Sequence, residues 1–119
     1  MSRIYIIAEA GVNHNGSLEL AKRLVRAAAE AGVDAVKFQT FKADTLVSRD
    51  APKADYQKQT TDAAESQYQM LKRLELSEES HRELKALCVQ LGVAFLSTPF
   101  DITDIPFLSA LDMPFFKVP

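Results

Sequence analysis

The feature that most constrains the fold is a short apolar run that recurs four times, with a helical pattern or a loop between successive runs. The four runs are "IYIIA" at 4–8, "VDAVKFQTF" at 33–41, "VAFLST" at 93–98 and "FFKV" at 115–118. The first is too short for a typical helix, is rich in β-branched residues and is apolar on both faces, as in a parallel sheet that is covered on both sides. Four strands that alternate with helical segments predict a parallel α/β architecture.

Capping residues and helical spacing mark the segments between these strands. Ser17 precedes a helix that ends at Gly32, and Ser77 opens a second helix that ends at Gly92. Their apolar residues repeat at the spacing of one helix face: Ala21, Leu24, Val25, Ala28 and Ala31 in the first, and Leu84, Leu87, Cys88 and Leu91 in the second. A turn or two of helix is expected at 65–74, and Asp101 or Thr103 is expected to cap a further helix.

Residues 42–64 are polar, contain Pro52 and show no sustained period. A connection of this length without secondary structure is usually a lid or a binding loop. We therefore expect this segment to be mobile and to fold over a substrate site.

Composition narrows the class of protein. The chain has 119 residues, 47% of them hydrophobic and 25% charged, as in one soluble globular domain. Its 14 Lys and Arg are scattered among 16 Asp and Glu, so no basic face predicts nucleic acid as a partner. A lone cysteine cannot form an internal disulfide, and no apolar run is long enough for a signal peptide or a membrane span. These features predict a cytoplasmic protein with no membrane partner.

The unusual polar residues fall at or just beyond the C-terminal ends of the four runs: Glu9 and His14, then Lys37 and Gln39, then Ser97 and Thr98, then Lys117. Substrates bind at this end of parallel α/β sheets, because the loops that follow the strands converge there. Lys37 lies between apolar residues on a strand that is expected to be buried, where an unpaired ammonium is costly. Two lysines and a hydroxyl at one cavity would suit a phosphate or carboxylate ligand.

Structural explanations compete with this functional one. Glu9 could serve only as the ion-pair partner of Lys37. His14 is expected to be a hydrogen-bonded or solvated loop residue and His81 a helix-surface residue, so neither predicts a metal site. Cys88 fits the apolar face of its helix and is expected in the core. The stretch "AEAGVNHNG" matches neither the dinucleotide-binding fingerprint nor a P-loop. The residues alone therefore predict an α/β site for a small anion.

Four motifs in order, "IAEAGVNHNGS", "AGVDAVKFQTF", "FLSTPFD" and "FFKVP", resemble the N-terminal half of N-acetylneuraminate (sialic acid) synthases over nearly all of the chain. The resemblance implies roughly the first half of a TIM barrel, so that residues 1–119 are a partial catalytic domain. It implies an enzyme that condenses phosphoenolpyruvate with an N-acetylated amino sugar, N-acetylmannosamine first among them, and releases phosphate. Synthases of legionaminic acid, pseudaminic acid or other 2-keto-3-deoxy sugar acids remain alternatives, as does a stand-alone half-barrel that binds a small anion without catalysis.

The same resemblance assigns roles to particular residues. It implies that Glu9 is an active-site carboxylate close to the reacting carbons and that Gln39 contacts the acceptor sugar. Lys37, Thr98 and Lys117 resemble the phosphoenolpyruvate-binding residues. The turn that contains Asn13 and His14 is expected to shape the mouth of the barrel and to contribute to substrate binding.

Similar proteins continue beyond this stretch. They continue with Ser-Gly-Glu, complete the barrel with further strands and add an antifreeze-like C-terminal domain. The resemblance implies a divalent cation, Mn or Mg, whose histidine ligands lie in that later part. It also implies a homodimer for the full-length protein, and it predicts that residues 1–119 alone are inactive.

Overall fold

The computed structural model describes residues 3–46 and 66–119. We number the elements along the chain: β1 Ile7–Gly11, α1 Leu18–Ala31, β2 Ala35–Thr40, α2 Ala43–Leu46, α3 Gln67–Leu74, α4 Glu78–Leu91, β3 Ala94–Pro99 and α5 Ile105–Ala110, the last preceded by a 3-10 turn at Ile102–Asp104. Within the two described ranges, no helix is both long enough and apolar enough to span a membrane.

The three strands form one parallel sheet in the order β1-β2-β3. The predicted parallel β/α architecture is therefore confirmed for this part of the chain. The first strand begins at Ile7 rather than at Ile4, because its ladder partner in β2 begins only at Ala35. Ile4 and Ile6 precede the ladder and are exposed.

The helix caps form as the sequence predicts. The Ser17 hydroxyl accepts a hydrogen bond from the N–H of Leu20, and Ser77 caps α4 in the same way. Gly32 ends α1 at φ +83°, in the left-handed region that a C-cap residue of this kind requires. The helix expected near 65–74 is α3, which begins with a capping box between Ser66 and Gln69.

The hydrophobic core lies between the sheet and helices α1 and α4, which pack side by side on one face of it. Its buried residues come from α1, from α4 and from the sheet: Ala21 and Val25, Leu84, Leu87 and Cys88, and Val36, Phe38 and Phe95. Cys88 is fully buried, as predicted, and burial raises the pKa of its thiol to about 11. This thiol is a core group and is protonated at neutral pH.

The two-residue period of the strands divides their side chains between two faces. Val36, Phe38 and Thr40 of β2 point toward α1 and α4, on what we call the helix face. Lys37 and Gln39 alternate with them and lie on the opposite face, which we call the inner face. The sheet therefore separates the candidate site residues Lys37 and Gln39 from the hydrophobic core.

The expected fourth strand is not formed. Residues 115–118 are irregular and exposed. Two prolines, Pro114 and Pro119, flank the run and cannot donate to a ladder. The N–H of Ser97, on the free side of β3, donates to Met113 Sδ at 3.2 Å instead of to a neighbouring strand. Phe115 packs edge-on against the ring of Tyr5, with the ring centroids 5.7 Å apart.

The segment expected to be a long loop is only partly described. Its first residues form the short helix α2, so the loop prediction is wrong for Ala43–Leu46. The N–H of Ala43 donates to the Glu75 carboxylate at 2.6 Å, which ties α2 to the end of α3. Residues 47–65 lie outside the described ranges, and the prediction of a mobile lid falls on them.

We expect residues 1–119, expressed alone, to associate rather than to remain a monomer. In the part of the chain that the structure describes, β1 and β3 each have one strand neighbour, so neither edge of the sheet is paired with a further strand, and Ile7 on the β1 edge is exposed. Exposed Tyr5, Phe115 and Phe116 add apolar surface. Sedimentation velocity should show oligomers or polydispersity. A monodisperse monomer with one cooperative thermal transition would contradict this prediction.

Candidate functional site

Three predicted site residues meet on the inner face, at the C-terminal ends of their strands. Glu9 and Lys37 are register partners in β1 and β2, and Lys37 Nζ forms an ion pair with Glu9 Oε2. The same Nζ lies 3.5 Å from Thr98 Oγ1 on β3. The parallel register thus brings a carboxylate, an ammonium and a hydroxyl from three strands into one cluster.

The ion pair is half open to solvent. The Lys37 side chain is 15% exposed and that of Glu9 is 49% exposed. The predicted ion-pair partnership therefore exists, but the carboxylate keeps much of its hydration and does not depend on Lys37 as a fully buried charge would. Lys37 is the more enclosed partner, and its ammonium carries a third hydrogen beyond those directed at Glu9 and Thr98. An anion that approaches this cluster has a donor available.

Gln39 extends the cluster along β2. It lies on the same face as Lys37, and its register partner is Thr98. Across β1, the ladder shifts between Glu9 and Gly11, so that Gly11 pairs with Phe38 and one residue of β1 is bulged. A Cβ built on Gly11 would lie 3.2 Å from Glu9 Oε1 and 3.5 Å from Gln39 Nε2. The Glu9 carboxylate and the Gln39 amide therefore both lie beside the position that a side chain of residue 11 would occupy.

His14 is not part of this cluster. Its side chain is fully buried and its ring packs against Phe38, a residue of the helix face, with centroids 6.1 Å apart. Nδ1 accepts a hydrogen bond from the N–H of Gly16 at 2.8 Å, while Nε2 has no hydrogen-bond partner among the described residues. Burial lowers the pKa of His14, and a proton on nearby His81 would lower it further. The structure thus gives this residue a place in the packing of the turn.

Two further predicted residues also lie apart from the cluster. Asn13 is exposed and lines a surface groove with residues of α1, among them Leu20 and Arg23. Lys117 lies in the irregular C-terminal segment and lines a groove of about 360 Å³ with Phe100, Ile102 and other residues near β3. Within the described ranges, no hydrogen bond or ion pair joins Asn13 or Lys117 to Glu9, Lys37, Gln39 or Thr98.

His81 was expected on the helix surface, and that prediction is wrong, because its side chain is only 2% exposed. It turns toward the helix face of the sheet, where its ring packs against Phe95 and Phe107. Two polar contacts hold the ring: Nδ1 to the Ser77 carbonyl at 2.7 Å and Nε2 to Thr40 Oγ1 at 2.8 Å. Thr40 Oγ1 lies in turn 2.6 Å from Ser97 Oγ.

The direction of these hydrogen bonds follows from the donors available. A carbonyl can only accept, so Nδ1 of His81 carries the proton and Nε2 accepts from the Thr40 hydroxyl. The Ser97 hydroxyl then donates to Thr40. Burial lowers the pKa of His81, which favours this neutral ring. Thr40 directly follows Gln39, and Ser97 directly precedes Thr98, so the network fixes the two strand ends that carry site residues on the inner face.

The chain is similar to known proteins over nearly all of its length. A family model described as the NeuB family matches residues 24–119. An N,N'-diacetyllegionaminic acid synthase of Legionella pneumophila is 58% identical over 97% of this chain, and one of Campylobacter jejuni is 50% identical over all of it. The human N-acetylneuraminate-9-phosphate synthase is 36% identical over 96% of the chain. The chain spans about a third of the length of these relatives, 32%, 36% and 32% respectively.

Solved structures agree with the fold. A Leptospira borgpetersenii N-acetylneuraminic acid (sialic acid) synthetase in complex with citrate aligns with a TM-score of 0.77 and 27% identity, covering 98% of this chain and 36% of that one. The Bacillus subtilis spore coat polysaccharide biosynthesis protein SpsE aligns with a TM-score of 0.69 and 37% identity, covering 98% and 29%. The parallel β/α units seen here therefore match the barrels of these proteins over part of their length.

The buried network predicts that the Thr40 hydroxyl contributes more to the free energy of unfolding than the Thr40 methyl group does. In the full-length protein, Thr40→Val keeps the shape but leaves His81 Nε2 and the Ser97 hydroxyl without this partner, which should lower the free energy of unfolding by about 1 to 3 kcal/mol. Thr40→Ser is the matched control, since it keeps the hydroxyl and should cost less, about 0.8 kcal/mol for one lost methyl group. Denaturant titration measures both, and equal losses would contradict the network.

Proposed function

Because this chain belongs to the NeuB family, we propose that it forms the first part of the catalytic barrel of a nonulosonic acid synthase. Such an enzyme condenses phosphoenolpyruvate with an N-acetylated amino sugar and releases phosphate. The observation that supports the proposal is the inner-face cluster, in which Glu9, Lys37 and Thr98 come together from three parallel strands. The activity belongs to the complete barrel, which the chain spans only in part.

The comparisons favour a product other than the one expected first. Two relatives at 58% and 50% identity are N,N'-diacetyllegionaminic acid synthases, whereas the human N-acetylneuraminate-9-phosphate synthase is 36% identical. We therefore propose a legionaminic-type product in place of the N-acetylmannosamine-derived one. Phosphoenolpyruvate contributes three carbons and no nitrogen, so both acetamido groups of such a product must come from the acceptor. The acceptor is then a doubly N-acetylated amino sugar.

Lys37 and Thr98 are the proposed contacts to phosphoenolpyruvate. This substrate carries a phosphate and a carboxylate, and an ammonium beside a hydroxyl provides charge-assisted hydrogen bonds to either group. The bound anion would share Lys37 with Glu9. Lys117 is proposed to join them in the complete barrel, as the resemblance implies, because residues 115–118 would then have a neighbouring strand on each side.

The chemistry assigns Glu9 to the reacting centre. The electrons of the enol double bond form a bond from C3 of phosphoenolpyruvate to the aldehyde carbon of the acceptor. The C=O π bond of the aldehyde breaks as its oxygen takes up a proton, and C2 becomes an oxocarbenium centre. Water adds to C2 and loses a proton. The resulting C2 hydroxyl then loses its proton as the C2–O bond to phosphate breaks, so that phosphate leaves with the electron pair and the keto acid remains. A carboxylate beside C2 stabilises the cationic centre or takes the proton from water.

The residues described here do not fit the divalent cation that the resemblance implies. In residues 3–46 and 66–119, no three His, Cys, Asp or Glu side chains come together in a way that could hold a metal ion. His14 bonds to Gly16 and His81 to Thr40 and Ser77. We therefore propose that the ligands of such a cation lie outside these residues.

The function is tested by supplying the full-length protein with phosphoenolpyruvate and one acceptor at a time. We expect phosphate release and a nonulosonic acid product with a doubly N-acetylated amino sugar, and a lower kcat/KM with N-acetylmannosamine. Mass spectrometry of the product and a phosphate assay measure both. Phosphoenolpyruvate binding without turnover of any N-acetylated acceptor would refute the synthase and support an anion-binding protein without catalysis.

Lys37→Met in the full-length protein separates the two roles of this lysine. The variant keeps an apolar stem but removes the charge, so we expect the dissociation constant for phosphoenolpyruvate to rise by about tenfold or more, as for a lost charge-assisted hydrogen bond. The Glu9 carboxylate that loses its partner is half exposed, so the stability change should stay within about 1 kcal/mol.

Calorimetric titration and the thermal midpoint should be measured on the same Lys37→Met preparation. Lys22→Met is the matched control, because Lys22 also forms an ion pair, with Glu83 at 3.2 Å, but lies on α1 far from the inner face. A Lys37→Met variant that loses stability strongly and binds phosphoenolpyruvate normally would show that Lys37 serves only to neutralise Glu9.

A further inference from the structure

We infer that Gly11 is a positioning residue for the acceptor, because it keeps open the space between the Glu9 carboxylate and the Gln39 amide in which a polar group of the acceptor is held. This inference rests on the proposed function and concerns the acceptor half of the site. The structure places Gly11 inside the inner-face cluster.

The clearance at Gly11 is small and is bounded by two side chains. A Cβ at this position would lie 3.2 Å from Glu9 Oε1, which is tighter than ordinary van der Waals contact, and 3.5 Å from Gln39 Nε2. The other Glu9 oxygen is held by Lys37. An added methyl group can therefore be accommodated only if the carboxylate shifts on Lys37 or the amide swings away, and either movement alters the site.

The bulge in β1 explains why a glycine is found here. Ala10 is the extra residue between Glu9 and Gly11 in the ladder, and its side chain is buried in the core on the helix face. Gly11 has a φ of +53°, which L-residues with a Cβ adopt at a cost. The backbone that directs Ala10 into the core therefore places the Cβ position of Gly11, where glycine has only a hydrogen, toward Glu9 and Gln39.

The chemistry on either side of Gly11 indicates what is held there. The carboxylate offers only acceptors, and the Gln39 Nε2 group that faces Gly11 offers donors. A group that both donates and accepts, such as a hydroxyl or the N–H and carbonyl of an acetamido group, satisfies both sides. Phosphate does not, because the carboxylate repels it. The gap therefore suits the neutral sugar acceptor, while Lys37 and Thr98 remain for the anionic substrate.

Gly11→Ala in the full-length protein tests the inference. With phosphoenolpyruvate saturating, we expect the KM for the acceptor to rise by about tenfold or more, the scale on which one methyl group changes recognition. The phosphoenolpyruvate dissociation constant, measured by calorimetry without acceptor, should stay within about twofold of the wild-type value. The control is Gly32→Ala, because Gly32 has a φ of +83° but no atom within 4 Å of its Cβ position. It imposes backbone strain without touching the site.

Three results would overturn the inference while the synthase assignment stands. They are an unchanged acceptor KM in Gly11→Ala, a similar rise of the acceptor KM in Gly32→Ala, and an equal loss of phosphoenolpyruvate affinity in Gly11→Ala. A wild-type protein that converts no acceptor would overturn the proposed function, and the inference with it. If Gly11→Ala does not fold, Gly11→Asn replaces it, since Asn15 adopts a φ of +53° in this same chain. Its larger side chain should raise the acceptor KM at least as much.

Discussion

The two-residue alternation of β2 is the constraint on which the rest of the structure depends. Successive residues of this central strand face opposite ways, so Val36 and Phe38 enter the core while Lys37 and Gln39 lie on the inner face. Both neighbouring strands are in register with it, which brings Glu9 and Thr98 to the same face. A slip of one residue would move Lys37 into the apolar core and Phe38 into the site. Core burial and site geometry are therefore set by a single register.

The helix face supports this register with polar as well as apolar contacts. Thr40 and Ser97 bond to each other across β2 and β3, and His81 from α4 joins them. A buried network of this kind is stabilising only when every member is satisfied, and here the carbonyl of Ser77 completes it. The residues that fix the strand ends thus lie on the opposite side of the sheet from the residues that would contact substrate. The contacts that hold the site residues in position are therefore made on the helix face.

Much of this arrangement was predictable, because it rests on local signals. The helix caps at Ser17 and Ser77, the core position of Cys88 and the position of Lys37 follow from short motifs and periodicity. The errors concern residues whose environment depends on distant partners. His81 is buried because the Thr40 hydroxyl, itself bonded to Ser97, provides a hydrogen-bond partner for its ring on the sheet. Residues 115–118 are irregular because they lack strand partners among the described residues. The position of Gly11 depends on a bulge that no sequence period reveals.

The pair of Glu9 and Lys37 shows why a structural and a functional explanation need not exclude each other. Lys37 is largely enclosed and would pay a desolvation cost without a partner, whereas Glu9 is half exposed and can keep water when Lys37 turns to another anion. In the proposed function, the bound anion would share this ammonium with Glu9, and water would solvate the carboxylate where its contact with Lys37 weakens. A fully buried pair would hold Lys37 too firmly for such sharing, because loosening it would leave an uncompensated charge in the interior. Partial exposure of the carboxylate would therefore allow one ion pair to serve also as the proposed anion site.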